Sequence, residues 1–487
     1  MFNVLSILTR SEAGRSGRDR IQVTGSDRPT ATPLDDTGGF LMGSRPAGFR
    51  RILESIMHVG RDLLARTHQS TGPEDQPADT LIRLCRQILD HRGEVSGLAL
   101  ADEILSGYQA LPPDERLAFF GLLSEQFEPD RQAIVDAAEA YRSNPEFDTR
   151  SVLAKAVEAP RLRLFRRLNM VPNGTSRLVA MRGHLLDVIQ ERPELRALES
   201  DLRHLLIAWF NRGFLVMEQI DWTGSANVLE RIIAHEAVHE INGWDDLRAR
   251  LAADRRCFAL FHPAMPDDPL IFVEVALTDS VADAIAPLIA KEREIANVRE
   301  TDTAIFYSIS NCHDGLRGIS FGHFLIKQVL EELRRDLDHI KQFATLSPVP
   351  GFCQWVTDTS PEVLAVDLQD GVAAARDILN GAQPLDPAEL SDDSRALLMR
   401  LCAHYLLNET HKGEPMDAVA RFHLGNGAAL EQINWAADFS LAGIERSAGI
   451  MVNYVYRLED IEKNHERYFA EGEVVASAAV RKLAILR

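Results

Sequence analysis

The chain changes texture once, near Arg212, and that change limits its fold more than any single motif. Before it, apolar residues recur at three- and four-residue spacings and no convincing strand-length run occurs. Phe49, Ile52, Leu53, Ile56, Gly60, Leu63 and Leu64 form the first stripe, and similar stripes recur at 79–91, 98–110, 114–127 and 130–142. Pro112-Pro113 and Pro129 stand just ahead of two of them, where proline suits a helix start. Two more helical stretches, 175–191 and 194–212, lead out of this region. The spacing predicts an all-α bundle.

After Arg212, short runs rich in Val, Ile, Phe and Tyr alternate with helical ones. The strand candidates are 214–220, 256–262, 270–278, 304–310, 343–348 and 451–458. Helix candidates between them are 226–241, 280–291, 322–337 and 391–408. The expected fold class is therefore α+β or α/β, with one sheet covered by helices. Residues 1–46 fit neither pattern. Ser, Thr, Gly, Arg and Asp dominate there, and a disordered tail is expected. Its Arg and Ser suit a transit peptide, but Glu12, Asp19 and Asp27 interrupt the basic character.

Charge narrows the partners. Lys and Arg number 53 against 72 Asp and Glu, a formal charge of −19. A nucleic-acid or anionic-membrane binder needs a basic face, so neither partner is expected. A small anionic ligand would need positive charge supplied locally. The five cysteines are scattered with no C-x-x-C, against a disulfide framework or structural zinc site. No apolar run approaches the roughly 18 residues of a membrane span.

Four places could carry chemistry. His235-Glu236-Ala237-Val238-His239 matches H-E-x-x-H, which on a helix would set both histidines on one face around zinc with Glu236 as base. The longer form of that pattern fails, because Asn242 and Asp245 stand where Gly and His belong; Glu274 is a loose third ligand. Second, AIFYSIS–NCHDGLRGISFG–HFLIKQVLEEL reads as strand, glycine-bearing loop and helix. Gly315, Gly318 and Gly322 would let backbone approach an anion at the helix start, with Arg317 adding charge. An ordinary strand-to-helix turn fits that spacing equally well. Third, Ser347 precedes Pro348, which pushes it to extended geometry at a strand end. Fourth, His423 lies between a helix and a glycine turn, and Tyr456 alternates with Tyr454 on a strand; core packing explains both as readily as function.

Taken together these segments resemble the malonyl-CoA decarboxylase family. The resemblance rests on long ordered blocks: HEAVHEINGWDDLRARLAADRRCFALFHPAMPDDPLIFVEVALT, AIFYSIS…GLRGISFGHFLIKQVLEEL, FATLSPVPGFCQW, LMRLCAHYL and AVARFHLGNGAALEQINWAADFSLAGIERSAGIMVNYVY. They cover most of residues 230–460. Beyond the tail at 1–46 expected from composition, the resemblance implies a helical oligomerisation domain at 47–191 and a GNAT-like (acetyltransferase-type) mixed-sheet catalytic domain at 192–487. It places an acyl-CoA pyrophosphate on Arg317, Gly318, Ile319, Ser320, Phe321, Gly322 and His323, the catalytic serine on Ser347 and the catalytic histidine on His423. It gives the H-E-x-x-H helix no metal role and suggests a homotetramer. This chain departs at His313 and Asp314, where relatives often carry Gln, and at Ser320, where some carry Glu. The peroxisomal Ser-Lys-Leu ending of some relatives is absent, so cytoplasm is the expected location.

The implied chemistry needs little from the protein. A malonyl thioester carries its own electron sink, so no cofactor is expected; coenzyme A is part of the substrate. The site must hold the carboxylate out of the thioester plane, stabilise the enolate oxygen and deliver a proton. Ser347 is expected to orient the substrate. His423, with a pKa near ~6.5, is expected to protonate the enolate, and Tyr456 to order the pocket. Rivals on the same residues are an acyltransferase using an amine acceptor, a zinc hydrolase on His235, Glu236 and His239, and a non-catalytic coenzyme A binder.

Overall fold

The computed structural model describes Ser55, Val59 and residues 76–91, 93–319, 322–360, 362, 366–381 and 385–484, apart from the side chains of 322–324 and 366–367. The expected tail, and the first apolar stripe beyond Ser55 and Val59, lie outside these residues. Contacts divide the chain into two units that meet at Gly174 and Thr175.

The first unit is helical. Its helices are α1 (Pro77–Asp90), α2 (Glu94–Ala110), α3 (Pro113–Gln126), α4 (Arg131–Ser143), α5 (Phe147–Val157) and α6 (Pro160–Leu168). Pro77, Pro113 and Pro160 open three of them, where a missing N–H costs no bond. Helices α1, α2, α3 and α6 pack on one another around Ile88, Ile104, Tyr108, Phe119, Phe120 and Phe165. Each such side chain contributes about 1.5–3 kcal/mol by leaving water. Helix α5 buries none of its residues, and Val135, Phe147, Val152 and Val157 stand exposed on α4 and α5.

The second unit opens with α7 (Gly174–Val188) and α8 (Arg196–Trp209), then builds an eight-stranded sheet. Its strands are β1 (Val216–Ile220), β2 (Arg255–Phe261), β3 (Ile271–Thr278), β4 (Thr303–Asn311), β5 (Gln342–Thr345), β6 (Ser347–Pro348), β9 (Ala429–Asn434) and β10 (Met451–Val455). A separate two-residue ladder joins β7 (Thr410–His411) to β8 (Glu414–Pro415). In the main sheet the order is β1-β2-β3-β4-β5-β10-β6, with β9 also on β10. Every pair is antiparallel except β4 with β5. Strand β10 therefore joins β5, β6 and β9 at once.

The remaining helices are α9 (Ala226–His235), α10 (Trp244–Arg250), α11 (Ala286–Ile289), α12 (Gly322–Asp336), α13 (Phe352–Asp358), α14 (Val366–Leu379), α15 (Asp392–Asn408), α16 (Ala418–Gly425), α17 (Leu441–Ser447), α18 (Ile461–Glu471) and α19 (Ala478–Leu483). One core cluster joins α9 to β1, β2 and β3 through Val228, Leu229, Ile232, Ile220, Cys257 and Phe272. A second joins Ile305 and Tyr307 to Ala344, Leu346 and Met451.

Two expectations change. The helix expected over 226–241 ends at His235, because the Glu236 carboxylate accepts the N–H groups of Val238 and His239 (2.9 and 2.8 Å) and turns the chain. Of the helix expected over 280–291, only Ala286–Ile289 is helical. The reading also passed over β9, whose Ala, Glu and Gln are weak strand formers; pairing with β10 overrides that preference.

Candidate active site

Proline and glycine set the local geometry. Pro348 keeps Ser347 extended, and β6 pairs Val452 with Ser347 and Met451 with Pro348. Asp417 caps α16 by accepting the Ala420 N–H at 2.9 Å. The helix then carries His423 in its last turn. Gly427 ends the segment at φ 84°, where a Cβ would meet the Ile461 carbonyl at 2.1 Å. Only glycine fits there. Tyr456 follows β10 directly and donates its N–H to the Phe343 carbonyl at 2.8 Å.

These elements bring the three expected side chains together. His423 Nε2 lies 3.2 Å from Ser347 Oγ, and His423 Nδ1 lies 2.8 Å from the Tyr456 hydroxyl. Ser347 donates onward to Thr345 Oγ1 at 2.8 Å, which also accepts the Tyr454 N–H at 3.2 Å. The Tyr454 ring stacks on the imidazole, with centroids 4.7 Å apart. One proton arrangement satisfies every group: Tyr456 donates to Nδ1, Nε2–H donates to Ser347, and Ser347 donates to Thr345.

All of this is dry. Ser347, His423 and Tyr456 are at most 5% exposed. Burial alone drives the His423 pKa down to about 3. That corrects the expected value near ~6.5: the buried imidazole is neutral at physiological pH. Burial likewise pushes the Tyr456 hydroxyl up.

The dyad opens on a cavity of about 30 Å³, lined also by Val238, Phe306, Ser308 and Phe422. That space holds one or two waters. Ser308 sits where β4 and β5 part, two residues past the last paired position, Phe306, and the β3–β4 register shifts between Glu274 and Val275. Such a bulge re-aims side chains beside active sites. Ser308 donates to Glu236 (2.7 Å), and Ser310 donates to the same carboxylate at 3.2 Å. Burial raises the Glu236 pKa, while the His239 N–H and Ser308 hydroxyl lower it. Glu274 is raised to about 8, by burial first and then by Glu236, although Arg250 pairs with it at 3.0 Å.

The H-E-x-x-H segment does not form a chelating face. His235 ends α9 and His239 lies beyond it, so the helical spacing that would align them is broken. The His235 ring instead neighbours His313, with centroids 6.0 Å apart. Burial lowers the His239 pKa to about 4. Among the described residues no group of three or more His, Cys, Asp or Glu is placed to hold a metal ion.

The glycine loop is held from behind by the helices that precede the sheet. A Cβ on Gly315 would sit 1.8 Å from the Val179 carbonyl of α7. Arg182, also on α7, donates to the carbonyls of Gly315 (2.6 Å) and Arg317 (2.8 Å) and pairs with Glu199 at 2.6 Å. Arg203 of α8 donates to the Gly318 carbonyl at 3.1 Å. Gly318 has φ 79° and Arg317 faces Asp314 at 3.4 Å. Ile319 is buried. Ser320 and Phe321 lie outside the described residues; Gly322 and His323 begin α12.

Sequence reading missed Thr345, Ser308, Arg182 and Arg203. The signal for the first two was present: Ser308, Ser310, Thr345 and Ser347 are polar residues at alternate positions of otherwise apolar strands. The arginines sit in helices read only as a passage to the sheet.

Known proteins give consistent matches. The sequence model described as malonyl-CoA decarboxylase C-terminal domain matches residues 213–487, and that of the N-terminal domain matches 127–210. A mitochondrial malonyl-CoA decarboxylase from Anser anser anser is 33% identical over 411 residues, covering 78% of this chain and 82% of that protein. The Rattus norvegicus counterpart is 33% identical over 402 residues, covering 76% and 82%. Two solved malonyl-CoA decarboxylases share 48% identity and are covered in full. That from Rhodopseudomonas palustris covers 84% of this chain with TM-score 0.80, and that from Agrobacterium vitis 83% with 0.76.

Proposed function

The chain belongs to the malonyl-CoA decarboxylase family, and on that premise we propose how its buried polar chain performs the reaction. The activity is that of a carboxy-lyase: malonyl-CoA gives acetyl-CoA and CO₂. The observation that carries the mechanism is the run Tyr456–His423–Ser347–Thr345 beside one small cavity.

Ser347 orients the malonyl group so that the bond to the carboxylate lies perpendicular to the thioester plane. That bond then breaks, its electrons passing into the thioester as an enolate, and CO₂ leaves. The enolate carbon takes a proton from His423 Nε2. Turnover consumes one proton, and the low His423 pKa says when it arrives. A malonyl carboxylate entering the dry cavity is the opposite charge that favours imidazolium, so proton uptake accompanies substrate binding. Tyr456 then accepts from Nδ1–H and keeps Nε2 aimed at the substrate carbon. The substrate supplies its own electron sink, so the mechanism calls on no metal or redox cofactor.

The finer expectations belong to this reading. The loop Arg317–His323 is the pyrophosphate cradle. The sheet is GNAT-like, which the single parallel β4–β5 pair and the loop after β4 support. Residues 47–191 serve oligomerisation and 192–487 catalysis, except that α7, which holds the glycine loop, belongs with the catalytic unit. Exposed Phe147, Val152 and Val157 support a homo-oligomer, read as a tetramer. The net charge of −19 supports no nucleic-acid partner. Among the described residues no helix is long and apolar enough to cross a membrane, and we place the protein in the cytoplasm.

Incubation with malonyl-CoA and no acceptor tests the reaction. Acetyl-CoA and CO₂ should form in equal amounts, whereas an acyltransferase would form neither. Ser347→Ala should lower kcat by about 10²-fold or more while acetyl-CoA binding changes little. An unchanged kcat would remove Ser347 from the mechanism.

A further inference from the structure

The glycine loop carries more positive charge than its own sequence supplies. Arg182 and Arg203 reach it from α7 and α8, and Arg317 belongs to it. Against these three guanidiniums stand Glu199 and Asp314, paired with Arg182 and Arg317. Among the described residues Arg203 forms no ion pair; it spends one donor on the Gly318 carbonyl. A guanidinium has five donors, so most of its fork remains for an anion. In a chain of net charge −19, this local excess lies against the loop proposed above to receive pyrophosphate.

Arg182 has a different place. It is 2% exposed; its Nη1 donates to the carbonyls of both Gly315 and Arg317 while Nε and Nη2 hold the Glu199 carboxylate. Drawing those oxygens back toward α7 fixes the loop backbone, and the contact of Gly315 with Val179 leaves it no room to retreat. Burial lowers the Arg182 pKa, and Arg203 and Arg317 lower it further, as expected of three cations within range of one another.

We propose that the α7–α8 pair is a second wall of the phosphate subsite for coenzyme A, with Arg203 binding a phosphate group directly and Arg182 positioning the loop. This rests on the reading of the loop as the pyrophosphate cradle. It assigns the preference for a phosphorylated thiol carrier to residues outside the acyl cavity.

The test compares wild type with Arg203→Met and Arg182→Lys on two substrates. One is malonyl-CoA. The other is the malonyl thioester of N-acetylcysteamine, which keeps the reacting group and lacks every phosphate. Arg203→Met should raise KM for malonyl-CoA about tenfold or more, the effect of one charge-assisted hydrogen bond. It should leave kcat/KM for the truncated thioester within about twofold and flatten the salt dependence of KM. Arg182→Lys keeps the charge, loses the fork and should raise the same KM alone. Equal losses on both substrates, or an unchanged KM for malonyl-CoA, would overturn the proposal. If Arg182→Lys fails to fold, the half-exposed Arg203 decides alone. Wild-type protein releasing no CO₂ from malonyl-CoA would instead strike the reaction itself.

Discussion

Two histidine-bearing segments of this protein look unequal in sequence, and the fold reverses their order. His235 and His239 sit in the loudest motif of the chain; His423 stands alone in an apolar stretch. Yet α9 stops at His235, and a carboxylate meant for catalysis in that motif is used to turn the backbone. His423 instead receives a serine on one ring nitrogen and a tyrosine on the other, from β6 and the end of β10. Each segment holds one buried histidine, His239 and His423, and burial lowers the pKa of both. The difference is whether distant strands deliver partners, which spacing within one segment does not record.

The contrast can be broken most directly by removing each histidine in turn. His423→Ala should cost about 10²–10⁴ in kcat, the range of a general acid, with acetyl-CoA affinity retained. Wild-type turnover in a folded variant would end the assignment. Next in size is a stability effect. The folded pKa of His423, about 3, lies below its unfolded value of about 6.5. The unfolded chain therefore binds the proton first as pH falls, and stability is lost from about pH 6.5 down to about 3. Between pH 7.5 and 5 the wild type should lose about 2 kcal/mol relative to His423→Gln in urea titrations. Parallel curves would mean that the ring is charged inside the folded protein.

Tyr456→Phe should lower kcat about tenfold by freeing Nδ1, without weakening acetyl-CoA binding. A fall in binding alone would make the tyrosine a packing residue. The smallest expected effect is at the other segment. His235→Ala, or dialysis against a chelator, should change kcat less than about twofold. A large chelator-sensitive loss would restore the metal reading and collapse the comparison.

Much of the fold was legible because periodicity reports local structure. The stripes expected over 79–142 became α1 to α4, and the β-rich runs became β1 to β6 and β10. Ser347 was placed at a strand end from Pro348 alone. What periodicity left out was long-range. The helix break at His235 depends on a carboxylate also held by Ser308, far along the chain. The His423 pKa depends on burial in the folded chain, which the ordinary value of a lone histidine ignores. Arg182 and Arg203 look like ordinary helix-surface charges until the loop they grip is folded against them.

The way β10 is shared sets an order of assembly. Ser347 is made early, but its partner strand begins at Met451 and its histidine lies at position 423. A chain still emerging from the ribosome can complete the β1–β5 ladders while the catalytic residues remain apart. Until β10 arrives, β5 is the edge of the sheet, with backbone N–H and C=O groups open on its outer side, the kind of surface that recruits other strands. Closing the active site and sealing that edge are the same event, so onset of activity during refolding should coincide with loss of the tendency to aggregate.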